Sequence, residues 1–205
     1  MVTDPVHAQP PRWAEAVLQM LLRPEDRDSV SGDLLEEYRE AIVPAVGSAA
    51  DRWYVRQVGG FLLRASWLWG ALVGASLVIR YLFDTLVPVS DYVMRSRVLS
   101  YAVMAVCFLA AFCMTLRTRS ARAGVLTALA AGAIGGLVSI VGTGIMLAIW
   151  HDPETLQNGR NSGGLDEAFL VVPLIMVAVG AVMGTAGALL AKCVVWPVRR
   201  MRGSA

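Results

Sequence analysis

The pattern of hydrophobic and polar positions changes character near residue 60. Before that point, apolar residues recur every three or four positions, which is typical of short amphipathic helices. After it come four long apolar runs, at about residues 61–83, 98–116, 123–150 and 168–191. Each run is long enough to cross a bilayer, whose hydrocarbon core needs about 20 helical residues. The pattern predicts an all-α protein with a small N-terminal three-helix module (residues 1–60) and a four-helix transmembrane bundle (residues 61–205) that ends in a basic tail.

The first 60 residues divide into three predicted helices. Pro10 and Pro11 precede a first apolar stripe that continues to Leu22. The second helix is predicted to start at Pro24, because proline suits a first helical turn, where its missing N–H costs nothing. The third is predicted to start near Ser48. Because a bundle of roughly 50 residues is marginally stable alone, we expect it to lean on the membrane or on a partner.

The second predicted helix carries an acidic face beside its apolar one. Its carboxylates are spaced three and four positions apart, at Asp33, Glu36, Glu37 and Glu40. Like charges at this spacing destabilise a helix by roughly a few tenths of a kcal/mol per pair. Either the face is solvated or paired with nearby cations, or it docks another protein. We predict that Arg52 and Arg56 of the third helix face these carboxylates, and all six side chains are candidates for partner docking.

Three sequence motifs lie in this module: a P-x-W-A start, a G-D-L-x-E-E-Y centre and a W-Y-x-R-Q end. The positions that carry them, with an Asp-Arg pair between the first two, are Pro11, Trp13, Ala14, Asp26, Arg27, Gly32, Asp33, Leu34, Glu36, Glu37, Tyr38, Trp53, Tyr54, Arg56 and Gln57. With these motifs, residues 11–58 resemble the permease prefix domain family.

The resemblance implies a helical head module on a bacterial membrane protein. Such modules precede ABC-type efflux permeases and also small membrane proteins. Those permeases place a large extracytoplasmic domain after their first membrane helix, whereas here Asp84 to Arg97 offers a predicted loop of only 14 residues. The resemblance therefore implies the head module and not the permease activity.

The sequence offers little chemistry for catalysis. It contains no P-loop, nucleophile elbow or HExxH motif, so we expect neither enzymatic activity nor a cofactor or metal. The interiors of the four apolar runs hold no Asp, Glu, His, Lys or Arg, which argues against a proton relay. Ser139, Thr143 and Thr185 are predicted to bond to carbonyls of their own helices. Because no basic stripe with interleaved aromatic residues occurs, we expect no nucleic-acid partner.

Small residues recur every four positions in three of the predicted spans. The glycines of these faces are Gly70 and Gly74, Gly132 and Gly136, and Gly180 and Gly184. In lipid, such faces let helices approach closely, within one chain or between copies in a homo-oligomer. We predict that the Gly132 and Gly136 face packs on the fourth span through Gly180 and Gly184. Two functions remain: a head that docks a transport or regulatory component, or a small transporter or channel subunit whose path forms when glycine faces oligomerise.

Charge predicts the orientation in the membrane. Residues 1–60 carry six basic and ten acidic side chains, and residues 61–205 carry twelve and six. Basic residues that flank spans are retained in the cytoplasm. Ten such residues flank one side: Arg52, Arg56, Arg64, Arg117, Arg119, Arg122, Lys192, Arg199, Arg200 and Arg202. The other side has four, Arg80, Arg95, Arg97 and Arg160. We predict a bacterial inner-membrane protein in contact with the lipid bilayer, with both termini cytoplasmic.

Overall fold

The computed structural model describes residues 9–42, 48–86, 92–149, 157 and 167–202. Its α-helices are α1 (Arg12–Leu21), α2 (Arg27–Ile42), α3 (Ser48–Leu86), α4 (Tyr92–Thr118), α5 (Ala121–Ile149) and α6 (Val172–Arg202), and a π-helical turn, Glu167–Val171, precedes α6. Four helical stretches are long and apolar enough to cross a membrane: Ala49–Phe83, Ser100–Thr118, Ala121–Ile149 and Phe169–Val194. The predicted all-α class with a four-helix apolar bundle is confirmed, and the described ranges contain no strand.

Helix α5 lies at the centre of the membrane bundle and packs against α3, α4 and α6. Its buried positions are small residues: Ala123, Gly124, Thr127, Ala128, Ala131, Gly132, Gly135, Gly136, Ser139 and Thr143. Because lipid tails are as apolar as leucine, membrane helices associate through close packing, and small side chains permit it. The small-residue face of α5 therefore explains why three helices can surround it.

The outer surface of the bundle is apolar. Large hydrophobic side chains point away from the bundle, and several are more than half exposed, among them Leu137, Val141, Leu174 and Val182. Soluble proteins rarely expose contiguous apolar patches of this kind. Together with the four spans, this surface is that of a multi-pass membrane protein.

The first three helices share a small core that is separate from the membrane bundle. Its buried residues are Ala14, Leu18, Leu22, Leu34, Tyr38, Ala50, Tyr54 and Val58. The apolar stripe of α1 meets α2 and the first turns of α3, as an amphipathic helix requires. We call this unit, residues 9–58, the head.

Helix α3 runs across residue 60, the predicted boundary between the head module and the membrane bundle. The third head helix and the first membrane span form one α-helix of 39 residues, and it passes through Gly59 and Gly60 without interruption. A glycine costs a helix about 1 kcal/mol against alanine, but it keeps its backbone N–H and does not end the helix as proline does. The loop predicted from Asp84 to Arg97 is also shorter, since α3 ends at Leu86 and α4 begins at Tyr92.

The start of the second helix is three residues later than predicted. Residues 24–26 form a turn, and α2 begins at Arg27. The amide of Asp26 donates to the Arg23 carbonyl at 3.1 Å, and the amide of Val30 donates to the Asp26 carbonyl at 3.0 Å. Asp26 therefore holds the N-cap position, which favours a short acidic side chain.

Of the three hydroxyls predicted to bond to their own helices, one does so. Thr185 donates to the Ala181 carbonyl at 2.7 Å. Ser139 and Thr143 lie buried on α5, and their hydroxyl oxygens have no hydrogen-bond partner among the described residues, so the prediction was wrong for these two.

Candidate functional site

The acidic face of α2 points into solvent. Asp33, Glu36, Glu37 and Glu40 are all exposed, whereas Leu34 and Tyr38 on the other side of the helix are buried in the head core. Among the side chains that the structure describes, none of the four carboxylates forms an ion pair. Within the described part of the chain, the repulsion between them is therefore relieved by solvent.

The predicted ion pairs to Arg52 and Arg56 are not formed, and that prediction was wrong. Both arginines are exposed, and neither pairs with Asp33, Glu36 or Glu37. The buried side of α3 in the head is marked by Tyr54. A position two residues away from it lies roughly 200° around an α-helix, because each residue turns the helix by about 100°. The arginines are thus on the opposite side of α3 from the core that meets α2.

Tyr38 joins the second and third helices of the head. Its hydroxyl donates to Asp51 Oδ1 at 2.7 Å and also lies 3.3 Å from the Gln9 carbonyl oxygen. The Tyr38 and Tyr54 rings meet edge to face, with centroids 5.7 Å apart and an interplanar angle of 81°. Burial, reinforced by the hydrogen bond to Asp51 and by the negative charge of that carboxylate, raises the pKa of Tyr38 to about 12.

A second contact region joins the head to the membrane bundle. Leu21 of α1 packs in one cluster with Met114 of α4 and Ala123 of α5. Nearby, Arg27 Nη2 donates to the Thr118 carbonyl at 3.1 Å, at the C-terminal end of α4, where a cation suits the helix dipole. The head is therefore held to the bundle twice, by the continuous α3 and by this junction.

The contact between Arg27 and the Thr118 carbonyl could not be predicted from the sequence. The two residues are 91 positions apart, and only the fold brings them together. The available signal was local: Arg27 opens α2 directly after the turn, and Thr118 closes a span before a two-residue connection. Periodicity places each residue at a helix end but cannot pair the two ends.

The glycine faces of α3 and α5 pack against each other. A Cβ atom built on Gly70 would lie 2.5 Å from Ile134, and one built on Gly74 would lie 2.5 Å from Val138. Both distances are well below an ordinary van der Waals contact, so any larger residue would push the helices apart. These two glycines set the spacing between the first and third spans.

The faces of α5 and α6 also pack together, but glycine does not oppose glycine. Gly132 lies against the Met176 carbonyl and Gly136 against Pro173. In turn, Gly180 and Gly184 lie against Ala128, and a Cβ built on Gly180 would be 2.5 Å from its carbonyl oxygen. The two faces are offset along the helices, and all six glycines singled out in the sequence are used within one chain.

In the ranges that the structure describes, no three His, Cys, Asp or Glu side chains come together as a metal-ligand group. The fold and the arrangement of the site define a helical membrane protein with a three-helix head at one end of its bundle. In comparisons with models of protein families, with curated proteins and with solved structures, nothing matches this chain.

Proposed function

We propose that this is a non-enzymatic protein of a bacterial inner membrane whose cytoplasmic head docks a basic partner, a transport or regulatory component. The observation that carries the proposal is the acidic face of α2, whose four carboxylates are exposed and have no ion pair among the described side chains. Charge complementarity of this kind speeds the encounter of two proteins and sets their register.

The connection between head and bundle supports a role for docking beyond simple attachment. Because α3 runs from the head core into the membrane without a break, a force on the head acts directly on the first span. The junction of Leu21 with Met114 and Ala123 gives the same force a path to α4 and α5. A partner that binds α2 can therefore bias the packing of the membrane helices.

The resemblance to the permease prefix domain family agrees with this proposal. Four of the matching positions belong to the buried core of the head: Ala14, Leu34, Tyr38 and Tyr54. Seven others are exposed on its surface: Trp13, Asp26, Gly32, Asp33, Glu36, Glu37 and Arg56. The matching residues thus include residues that hold the module together and residues that a partner can reach.

The glycine faces are the reason for preferring docking over a path formed by oligomerisation. Gly70, Gly74, Gly132, Gly136, Gly180 and Gly184 all contact neighbouring helices of the same chain. Copies of the protein could use these faces only by separating helices that are already packed, which would remove close contacts in each copy.

Site-specific photo-crosslinking in bacterial membranes tests the proposal. A photoreactive residue replaces Glu37 on the acidic face or, as the control, exposed Asp28 outside it. We expect a defined protein adduct from position 37 and none from position 28. The yield of this adduct should fall when crosslinking is carried out in high salt, because exposed charge pairs are screened.

With the photoreactive residue kept at position 37, the matched variants are Asp33→Asn with Glu36→Gln on the acidic face and Glu25→Gln with Asp28→Asn outside it. Each pair removes two exposed negative charges. Loss of the adduct in the first pair alone supports docking through the face. Equal adducts in both pairs, or flux through reconstituted protein with no adduct at all, would contradict the proposal.

A further inference from the structure

An open cleft of about 510 Å³ lies where the head meets the membrane bundle. Its lining comes from three distant parts of the chain: Ala16, Gln19, Met20 and Arg27 of the head, Arg119, Ser120, Ala121 and Arg122 at the turn between α4 and α5, and Lys192 of α6. Pockets for small molecules and headgroups commonly have volumes of about 300–1,000 Å³. The cleft is therefore large enough for a specific ligand.

The charge of the cleft is one-sided. Four of its nine lining residues are cations, Arg27, Arg119, Arg122 and Lys192, and none is acidic. Among the described side chains, none of these cations forms an ion pair, so their charges are not neutralised inside the protein. Four like charges brought together repel one another, which raises the free energy of the folded state. An anion bound between them would lower that free energy.

The hydrogen bonding of Arg27 is incomplete. Its Nη2 donates to the Thr118 carbonyl, which fixes the guanidinium at the edge of the cleft. Its Nε is buried and has no hydrogen-bond partner among the described residues. A guanidinium is suited to bidentate bonds with phosphate, and a buried donor without a partner lowers stability until one arrives.

The turn between α4 and α5 adds to the positive potential. It consists of Arg119 and Ser120, and Arg119 adopts a left-handed backbone with φ of 57°. That conformation lets the chain reverse in two residues, so the first turn of α5 starts at the cleft. Ser120 Oγ accepts from the Ala123 amide and caps the helix. The positive end of the α5 dipole thus lies beside the arginines.

We propose that this cleft binds a phosphate-bearing anion, and that the bound phosphate bridges the head to the membrane bundle. Arg27 supplies the head side of the bridge, and Arg122 and Lys192 supply the bundle side. The ligand is either the headgroup of an acidic phospholipid or a soluble phosphate compound, since both present the same chemistry. The proposal does not depend on what docks at the acidic face of α2.

The test uses the full-length protein in a neutral detergent. Thermal unfolding is followed during titration with phosphatidylglycerol, with zwitterionic phosphatidylcholine as the comparison without net charge, and separately with inorganic phosphate and pyrophosphate. Native mass spectrometry counts the lipid molecules retained. We expect stabilisation that saturates, as binding to the folded state requires, and a defined stoichiometry.

The cleft variant is Arg122→Gln with Lys192→Gln, both exposed side chains whose replacement leaves the packed core intact. The control is Arg12→Gln with Arg64→Gln, two exposed arginines that do not line the cleft. We expect the apparent dissociation constant to rise about tenfold or more in the cleft variant, as for the loss of charge-assisted hydrogen bonds. The control should bind as the wild type does.

The titrations with lipid and with soluble phosphates distinguish a lipid headgroup from a soluble ligand. Saturable stabilisation by phosphatidylglycerol alone assigns a lipid headgroup, and stabilisation or displacement of lipid by pyrophosphate assigns a soluble ligand. Equal weakening in the cleft variant and the control would mean that the anion is attracted by general surface charge, and the proposal would be wrong. No saturable effect from any of the anions would overturn it as well.

Discussion

Tyr38 of α2 and Asp51 of α3 are joined by a 2.7 Å hydrogen bond that closes the head. Asp51 lies in the first turn of α3, where a carboxylate also suits the positive end of the helix dipole. Its bond with the phenol therefore ties the body of α2 to the start of the helix that enters the membrane. Tyr38 is 3% exposed, so water has little access to the phenol end of this hydrogen bond.

The first prediction concerns the contribution of this bond. Tyr38→Phe keeps the ring contact with Tyr54 and removes only the hydroxyl. We expect the head to lose about 1–2 kcal/mol of stability, as for a hydrogen bond to a charged group. Hydrogen exchange of the α1 and α2 amides in the full-length protein measures the local opening.

The matched control is Tyr101→Phe. Tyr101 is 65% exposed on α4, outside the head. Removal of its hydroxyl should change the stability of the head by less than about 0.5 kcal/mol. Equal protection of α2 in the wild type and in Tyr38→Phe would show that the bond with Asp51 contributes nothing to the head.

The second prediction is a pH dependence. The pKa of Tyr38 is raised from 10.0 to about 12, first by burial and then by the bond with Asp51 and its charge. A raised folded-state pKa means that the folded state holds the proton more tightly than the unfolded state. The stabilisation is therefore fully present below pH 10 and is lost as the pH rises from 10 to about 12.

Thermal unfolding of the wild type and of Tyr38→Phe across this pH window measures the effect. We expect the wild type to lose more stability than the variant between about pH 9 and about pH 12, because only the wild type carries this phenol. Burial also raises the pKa of Tyr54, so absorbance of tyrosinate should show one late-ionising tyrosine fewer in the variant than in the wild type. Parallel stability curves for the two proteins would contradict the assignment.

The spans could be predicted from the sequence because each depends on one local property, a long apolar run without charge. The continuity of the third head helix with the first span could not be predicted in the same way, because the hydrophobic pattern changes near residue 60 while the helix continues through Gly59 and Gly60. The sequence did contain a signal against the ion pairs that were predicted for Arg52. A residue two positions from Tyr54 faces away from whatever Tyr54 packs against.

The cleft between head and bundle lies beyond the reach of periodicity. Its cations come from α2, from the turn after Thr118 and from Lys192 near the end of α6. In the sequence Arg119, Arg122 and Lys192 are flanking charges that predict orientation, and Arg27 is part of the Asp-Arg pair in the head. Only the docking of α1 on α4 and α5 places them around one cavity.

The third prediction concerns the glycine that separates α5 from α6. A Cβ on Gly132 would collide with the Met176 carbonyl, which belongs to the backbone and cannot rotate away. We expect Gly132→Ala to lower the stability of the bundle by about 1–3 kcal/mol, the usual cost of overpacking. Leucine at both 132 and 136 should cost more. Thermal unfolding in detergent is the measurement.

The control for this prediction lies on the same helix. Gly144 has no atom within 4 Å of a Cβ built on it, so Gly144→Ala meets open space. It should leave stability unchanged or raise it by up to about 1 kcal/mol, because alanine is the better helix former. If the variants at 132 and 144 melt alike, the close approach of α5 and α6 is not maintained in detergent.

The last prediction is the orientation of the chain in the membrane. The cleft places Arg27 of the head at the same end of the bundle as Arg119, Arg122 and Lys192. Whichever side holds the turn between α4 and α5 therefore also holds the head. Arg119 lies in this two-residue connection, and Arg117 and Arg122 lie in the helix ends beside it. Basic residues at such a short connection favour the cytoplasm.

Reporter fusions in a bacterial host measure the orientation. We expect a cytoplasmic signal after residue 60, an extracytoplasmic signal near Asn158, which lies outside the described residues, and a cytoplasmic signal at the C-terminus. Replacing Arg117, Arg119 and Arg122 by Gln should increase the inverted fraction, whereas Arg12→Gln, far from any span end, should not. An extracytoplasmic signal from the reporter after residue 60 would place the acidic face of α2 outside the cytoplasm. Docking to a cytoplasmic partner would then be impossible.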